Sequence, residues 1–226
     1  MSKKNARPMD IREIPAYSIE DVSRYVKIPR KTVEYWITGN GTPPVIVTPS
    51  VHPPRFSFNN LIEFHLLSTI RVKGVKLKKI REAIRSMMRR WSRHPLLKAT
   101  LSTDGVDVFS ESLPGDLVNE SRGGQVAFRE LLEIYLHRIE WDESSHVPLI
   151  LYPFVRTKAP SSEPRLIQIN PRVAFGRPVI AGTGISTALV AARFNGRESV
   201  ASLAEEYGRK IQEIEEAIRW EKEKAA

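Results

Sequence analysis

Three groups of residues have the types and spacing to do chemistry. The stretch FGRPVIAGTGIS, from Phe175 to Ser186, places Gly176, Pro178, Gly182 and Thr183 inside an apolar run, the composition of a loop that could cradle a phosphate. A Walker-type loop needs GxxxxGK followed by Ser or Thr, with the lysine on the outer phosphates and the hydroxyl on magnesium. Here no lysine follows Gly182, and Gly176 stands one residue too far ahead of it. The dinucleotide pattern GxGxxG is approached only by Gly182-Thr183-Gly184, without a surrounding strand–helix–strand alternation. The glycines therefore read as backbone corners where a strand turns into a helix. A second group, Glu130, Glu133 and His137, falls on one helical face with the spacing of two metal ligands. No further ligand lies nearby, the five histidines are scattered, and the pattern reads as a solvated face. Absence of cysteine excludes thiol catalysis, disulfides and thiolate metal sites. The expectation is no catalytic set, no metal and no cofactor, hence no enzyme. The third group is Arg30, Lys31, Thr32 and Tyr35, joined by Arg55, a set of cations, hydroxyls and an aromatic suited to phosphates and base edges.

Charge distribution favours the third group. The net charge is +9, and residues 1–96 carry 19 basic against 7 acidic side chains. Residues 97–164 carry 6 against 11, and residues 165–226 carry 10 against 8. A basic surface confined to the first third suits a polyanionic partner, nucleic acid being the simplest. No apolar run is long enough for a membrane span, and the basic start lacks the apolar core of a signal peptide, which implies a cytoplasmic protein.

The elements needed to position these residues can be read from periodicity. In YSIEDVSRYVKIPRKTVEYWI, Ser18 caps a helix whose apolar stripe is Ile19, Val22 and Val26. Lys27 and Ile28 break it, and Pro29 opens a second helix that turns Val33, Trp36 and Ile37 inward and Arg30, Lys31, Thr32 and Tyr35 outward. The runs VIV and RFSF predict a hairpin wing, and two helices interrupted at Gly74 follow. The second of these has Leu77, Ile80, Ile84, Met87 and Trp91 on one face and a crowd of Lys and Arg on the other. Around Thr103-Asp104-Gly105 two β-prone runs predict another hairpin, the first of them beginning at HPLLKAT. Next come a helix with Phe128, Leu131, Leu132, Tyr135 and Ile139 on its stripe, the buried strand HVPLILYPFV and the Pro/Ser linker RTKAPSSEP. After the linker, LIQI predicts a strand, and STALVAARFN, SVASLAEEY and IQEIEEAIRWEKEK predict three helices punctuated by Gly196 and Gly208. The expected fold is α+β and mostly helical. It comprises a basic arm (1–16), a winged helix-turn-helix (17–96), a small α+β unit (97–157), a linker (158–165) and a strand plus three-helix unit (166–226). Leu203, Ile211, Ile214 and Ile218 form a stripe that suits either a core or a homodimer interface, core being the simpler use.

Two resemblances sharpen this reading. The order of reader helix, wing ending in Arg-aromatic and helix pair joined through KGVKLKKI resembles the DNA-binding domain of MerR-type regulators. IPRKTVEYW stands where that family has its reader segment, and RFSF where it has the wing arginine and tyrosine. The resemblance implies major-groove or phosphate contacts for Arg30, Lys31, Thr32 and Tyr35, and a backbone contact for Arg55. It departs at Glu34, where the family has arginine; an acid there pairs with a neighbour or accepts from a cytosine amino group.

The segment GRPVIAGTGI, followed by a helix and SLAEEYG with IEEAI, resembles the family called domain of unknown function 433 from about Ile167 to Trp220. Its members are antitoxins, frequently of the VapB type, whose partner is a PIN-domain ribonuclease. With the reader ahead of it, the chain resembles the longer VapB-type antitoxins, which implies a toxin partner and repression of its own operon by DNA binding, with the chain as a homodimer or larger. The ends MSKKNARPMDIRE and EKEKAA, or the C-terminal unit, are candidates for the toxin contact. The family usually has arginine where this chain has Gly184. The alternative reading is a MerR-like regulator without a toxin, whose acidic middle unit senses a ligand or protein.

Overall fold

The structure is a computed structural model that describes residues 9–72, 81, 84–85, 94–100, 130–155 and 163–223. The Asp-Gly hairpin, Gly74, most of the basic helix predicted after it and residues 158–162 of the expected linker lie outside the described residues.

Helix α1 (Ile19–Val26) begins at Ser18, whose side chain accepts from the Asp21 N–H while Asp21 accepts from the Ser18 N–H. This reciprocal capping box satisfies two otherwise orphaned donors. Lys27, at φ 56°, ends α1 in the left-handed region and sends the chain into α2 (Arg30–Thr38), with Pro29 as its N-cap. The hairpin that follows is β1 (Ser50–Val51) paired with β2 (Pro54–Arg55). It differs from the expected pair of runs. Val45 and Ile46 are core residues whose N–H groups close onto the Trp36 carbonyl, and Phe58 already belongs to helix α3 (Phe58–Val72). Phe56 instead bridges Tyr17, tying the hairpin to the residues just before α1.

The centre of the fold is α3. From Phe58 to Thr69 it is buried on every face, polar residues included, as befits a helix enclosed by neighbours rather than lying on the surface. Trp36 stacks on Phe64 at 5.9 Å between ring centroids, and Phe56 meets the same ring edge-on at 5.1 Å. The stretch predicted as a first β run at HPLLKAT forms helix α4 (Pro95–Thr100) instead, packed on α3. Pro95 can open a helix, and Leu96 and Leu97 find burial there. Residues 130–136 are helical, but the helix stops before Ile139, which pairs in β3 (Ile139–Trp141) with β4 (Pro148–Leu151).

Leu151 also bridges Ile169, so β4 continues directly into the strand of the C-terminal part, β5 (Ile167–Gln168), which pairs antiparallel with β6 (Val179–Ile180). Buried Arg138 secures this crossing. Its guanidinium donates to the carbonyls of Tyr152, Pro153, Glu163 and Pro164, and burial lowers its pKa to about 10. Helices α5 (Thr187–Asn195), α6 (Val200–Tyr207) and α7 (Ile211–Lys222) complete the chain as expected, with Ser199 capping α6 and Gly208 ending it at φ 59°. The architecture is thus mixed α+β with small antiparallel sheets. One hydrophobic cluster runs from Tyr17 through α3 to Trp220.

Candidate nucleic-acid interface

Residues singled out in the sequence gather at two places, the outer face of α2 and the corner between β5 and α5. On α2, Arg30, Lys31 and Tyr35 are exposed, with Tyr35 39% accessible. Thr32 is not; it is buried at 7%, which corrects the expectation that it faces outward. The reason is periodicity, since Thr32 precedes the fully buried Trp36 by one helical turn and so shares its inward face.

The cations on this face differ in availability. Arg30 is held between Glu20 at 2.5 Å and Glu34 at 3.0 Å, and those partners, Glu34 foremost, raise its pKa further. Glu34 therefore pairs with a neighbour, one of the two roles expected of it. Lys31, and Arg55 on β2, have no ion pair among the described residues. Sequence reasoning missed Arg81. Its guanidinium lies over the Tyr35 ring at 4.8 Å and reaches the Tyr35 hydroxyl at 3.3 Å and the Gly39 carbonyl at 3.4 Å. Only its place in a basic run marked it in the sequence.

The glycine corner makes no phosphate cradle. Gly176, at φ 74°, lies so close to Tyr17 that a β-carbon there would sit 2.3 Å from the tyrosine hydroxyl. The Gly182 N–H donates to the Gln168 side chain at 3.0 Å rather than standing open. Thr183 closes the turn locally, its hydroxyl donating to the Ile180 carbonyl at 2.8 Å and accepting from the Ile185 N–H at 3.0 Å. Pro178 is buried, and its carbonyl accepts from Thr187 at the start of α5. No atom lies within 4 Å of a β-carbon built at Gly184, so that position has room for a larger side chain. The corner also projects Phe175, 93% exposed at φ 55°, beside a cleft lined by Ile11, Ile14 and Pro171.

This β5–corner–β6–α5 arrangement with two further helices is where the chain meets a known family. Residues 167–220 match the family model described as protein of unknown function (DUF433). The DUF433 segment thus covers the strand pair and the helical unit up to Trp220, two residues short of the end of α7. Beyond it, the chain is 26% identical over 230 residues, 91% of its own length and 93% of the relative's, to "Putative antitoxin VapB45" of Mycobacterium tuberculosis (strain ATCC 25618 / H37Rv). Among solved structures, Rv2018 from Mycobacterium tuberculosis shares the fold with a TM-score of 0.68 at 23% identity, covering 91% of this chain and 98% of that one.

Within the DUF433 segment the stripe expected to serve either a core or a homodimer interface is mostly core. Leu203, Ile214 and Ile218 are buried inside the chain, and only Ile211 is exposed, at 53%. Packing of α7 against both α5 and α6 consumes the other three. No group of residues able to hold a metal occurs among those described, and none of their helices is long and apolar enough to cross a membrane.

Proposed function

We propose that this chain is the antitoxin of a type II toxin–antitoxin pair, neutralising a PIN-domain ribonuclease and repressing its own operon by binding DNA through α2 and the β1–β2 wing. The observation that carries the reading is the likeness to a protein described as an antitoxin along nine-tenths of both chains, reader and DUF433 segment together. Exposed Lys31 on the same helix as the Tyr35–Arg81 stack, and exposed Arg55 on β2, support the DNA-binding half.

The first test is co-expression with a PIN-domain ribonuclease taken from the same operon. A stable complex in gel filtration and loss of ribonuclease activity on adding the antitoxin are expected; two separate peaks and undiminished cleavage would refute the partner. The second is titration of a duplex from its own upstream region. Lys31→Ala should weaken binding and lower the salt slope by about 1, the share of one phosphate contact. Arg30→Ala should weaken it less, because Glu20 and Glu34 already hold that guanidinium.

A further inference from the structure

Beside the reader, the last turn of α7 lies on α1. Trp220 is fully buried, its ring 5.8 Å from that of Tyr25, with the Arg24 guanidinium at 5.7 Å and the Lys27 ammonium at 5.2 Å from its centroid. The two cations are also taken by carboxylates from the end of the chain. Arg24 Nη2 meets Glu221 at 2.8 Å and Lys27 Nζ meets Glu223 at 3.3 Å. Glu221 is fixed in turn by the Thr187 hydroxyl at 2.5 Å. Lys27 sits in the turn leading to Arg30, and its side chain is only 8% exposed. Arg24 keeps Nε without an acceptor among the described residues.

We propose that Arg24 and Lys27 form a phosphate-binding site for a polyanion on α1, and that the chain's own Glu221 and Glu223 occupy it as an internal competitor. This extends the DNA-reading role to a second patch next to α2. The chemistry is an exchange of like for like: a carboxylate and a phosphate oxygen present the same acceptor to a guanidinium or an ammonium. The helix end is the weak side of the contact. Glu223 is the C-cap residue of α7 and is 41% exposed, and terminal turns open at low cost in free energy. Trp220, one turn-fraction earlier, keeps α7 docked while the carboxylates let go. Anything that draws Glu221 and Glu223 away from α1 therefore uncovers two cations beside the reader helix.

The test uses immobilised heparin as the polyanion and the full chain. Glu221→Gln/Glu223→Gln removes the competing charges while leaving an acceptor for Thr187. Its control is Glu205→Gln/Glu215→Gln, an equal change in net charge at exposed positions away from α1. The clamp variant should bind about threefold to tenfold more tightly than the control at fixed salt, with a salt slope steeper by about 1.5. Adding Arg24→Gln/Lys27→Gln should abolish that excess. Equal affinity for the two double variants, or an excess that survives loss of Arg24 and Lys27, would overturn the proposal. Failure of the upstream duplex to bind would defeat the operator reading and leave the heparin comparison intact.

Discussion

His65 shows how a single residue fixes a pH dependence. It is buried against Tyr135 and Phe154, makes a 3.0 Å hydrogen bond with the Tyr135 carbonyl, and burial lowers its pKa from 6.5 to about 4. Between those values the unfolded chain binds a proton that the folded one refuses. Stability from this residue is therefore complete above pH 6.5 and falls as the pH drops toward 4, by on the order of 3 kcal/mol in all. Urea unfolding at pH 7 and pH 5 should show a smaller acid loss for His65→Gln than for the parent; equal losses would assign the effect elsewhere. His94 has the opposite sense. Burial opposes its charge, yet Glu63 at 2.9 Å and Glu13 at 3.1 Å raise its pKa above the ordinary value. What it contributes is complete below pH 6.5 and is lost as the pH rises through that raised value. Gly176 offers a steric counterpart. Gly176→Ala should cost about 2–4 kcal/mol, from positive φ and the collision with Tyr17. The Tyr17 hydroxyl has no hydrogen-bond partner among the described residues, so Tyr17→Phe should be neutral or stabilising and should recover part of that loss. Additive effects in thermal unfolding would show that the two residues do not meet.

At the scale of elements, α1 and α2 illustrate which features local sequence can carry. The capping box at Ser18, the break at Lys27 and the buried Trp36 all follow from neighbours in sequence, and all are present. Ser18→Ala should cost about 1 kcal/mol in unfolding free energy by removing one cap. Thr32 stands one turn before Trp36, and helical phase outweighs the hydroxyl chemistry that suggests an outward position. A hairpin does form ahead of α3, with Arg55 in its second strand, but its first strand and α4 differ from the expected runs for a different reason. Val45, Ile46 and Leu97 are apolar enough for strands, but their burial is decided by Trp36 and α3, which periodicity over a few residues does not contain.

In the whole molecule, the N-terminal helices α1 and α2 and the C-terminal part share one hydrophobic cluster and are joined by ion pairs between residues far apart in sequence, Arg24–Glu221, Lys27–Glu223 and Arg177–Asp21. Trp220→Ala should therefore destabilise α1 as well as α7, by about 3–5 kcal/mol for a fully buried aromatic. Hydrogen exchange of the α1 amides reports this; protection of α1 unchanged while α7 opens would mean that the two parts are energetically separate.

Composition, helical phase and glycine placement determined the two N-terminal helices with their basic exposed face, the strand and three helices of the C-terminal part, and the likeness of GRPVIAGTGI to the DUF433 family. Those are properties of adjacent residues, where spacing alone sets which face is apolar and where a helix must stop. Tertiary structure decided which cations stay open and which are taken. Glu20 reaches Arg30 across a turn, Arg81 reaches Tyr35 from another helix, and Glu221 and Glu223 reach Arg24 and Lys27 from the far end of the chain. A charge count sums these groups, whereas pairing depends on distances of a few ångströms that exist only once the chain has folded.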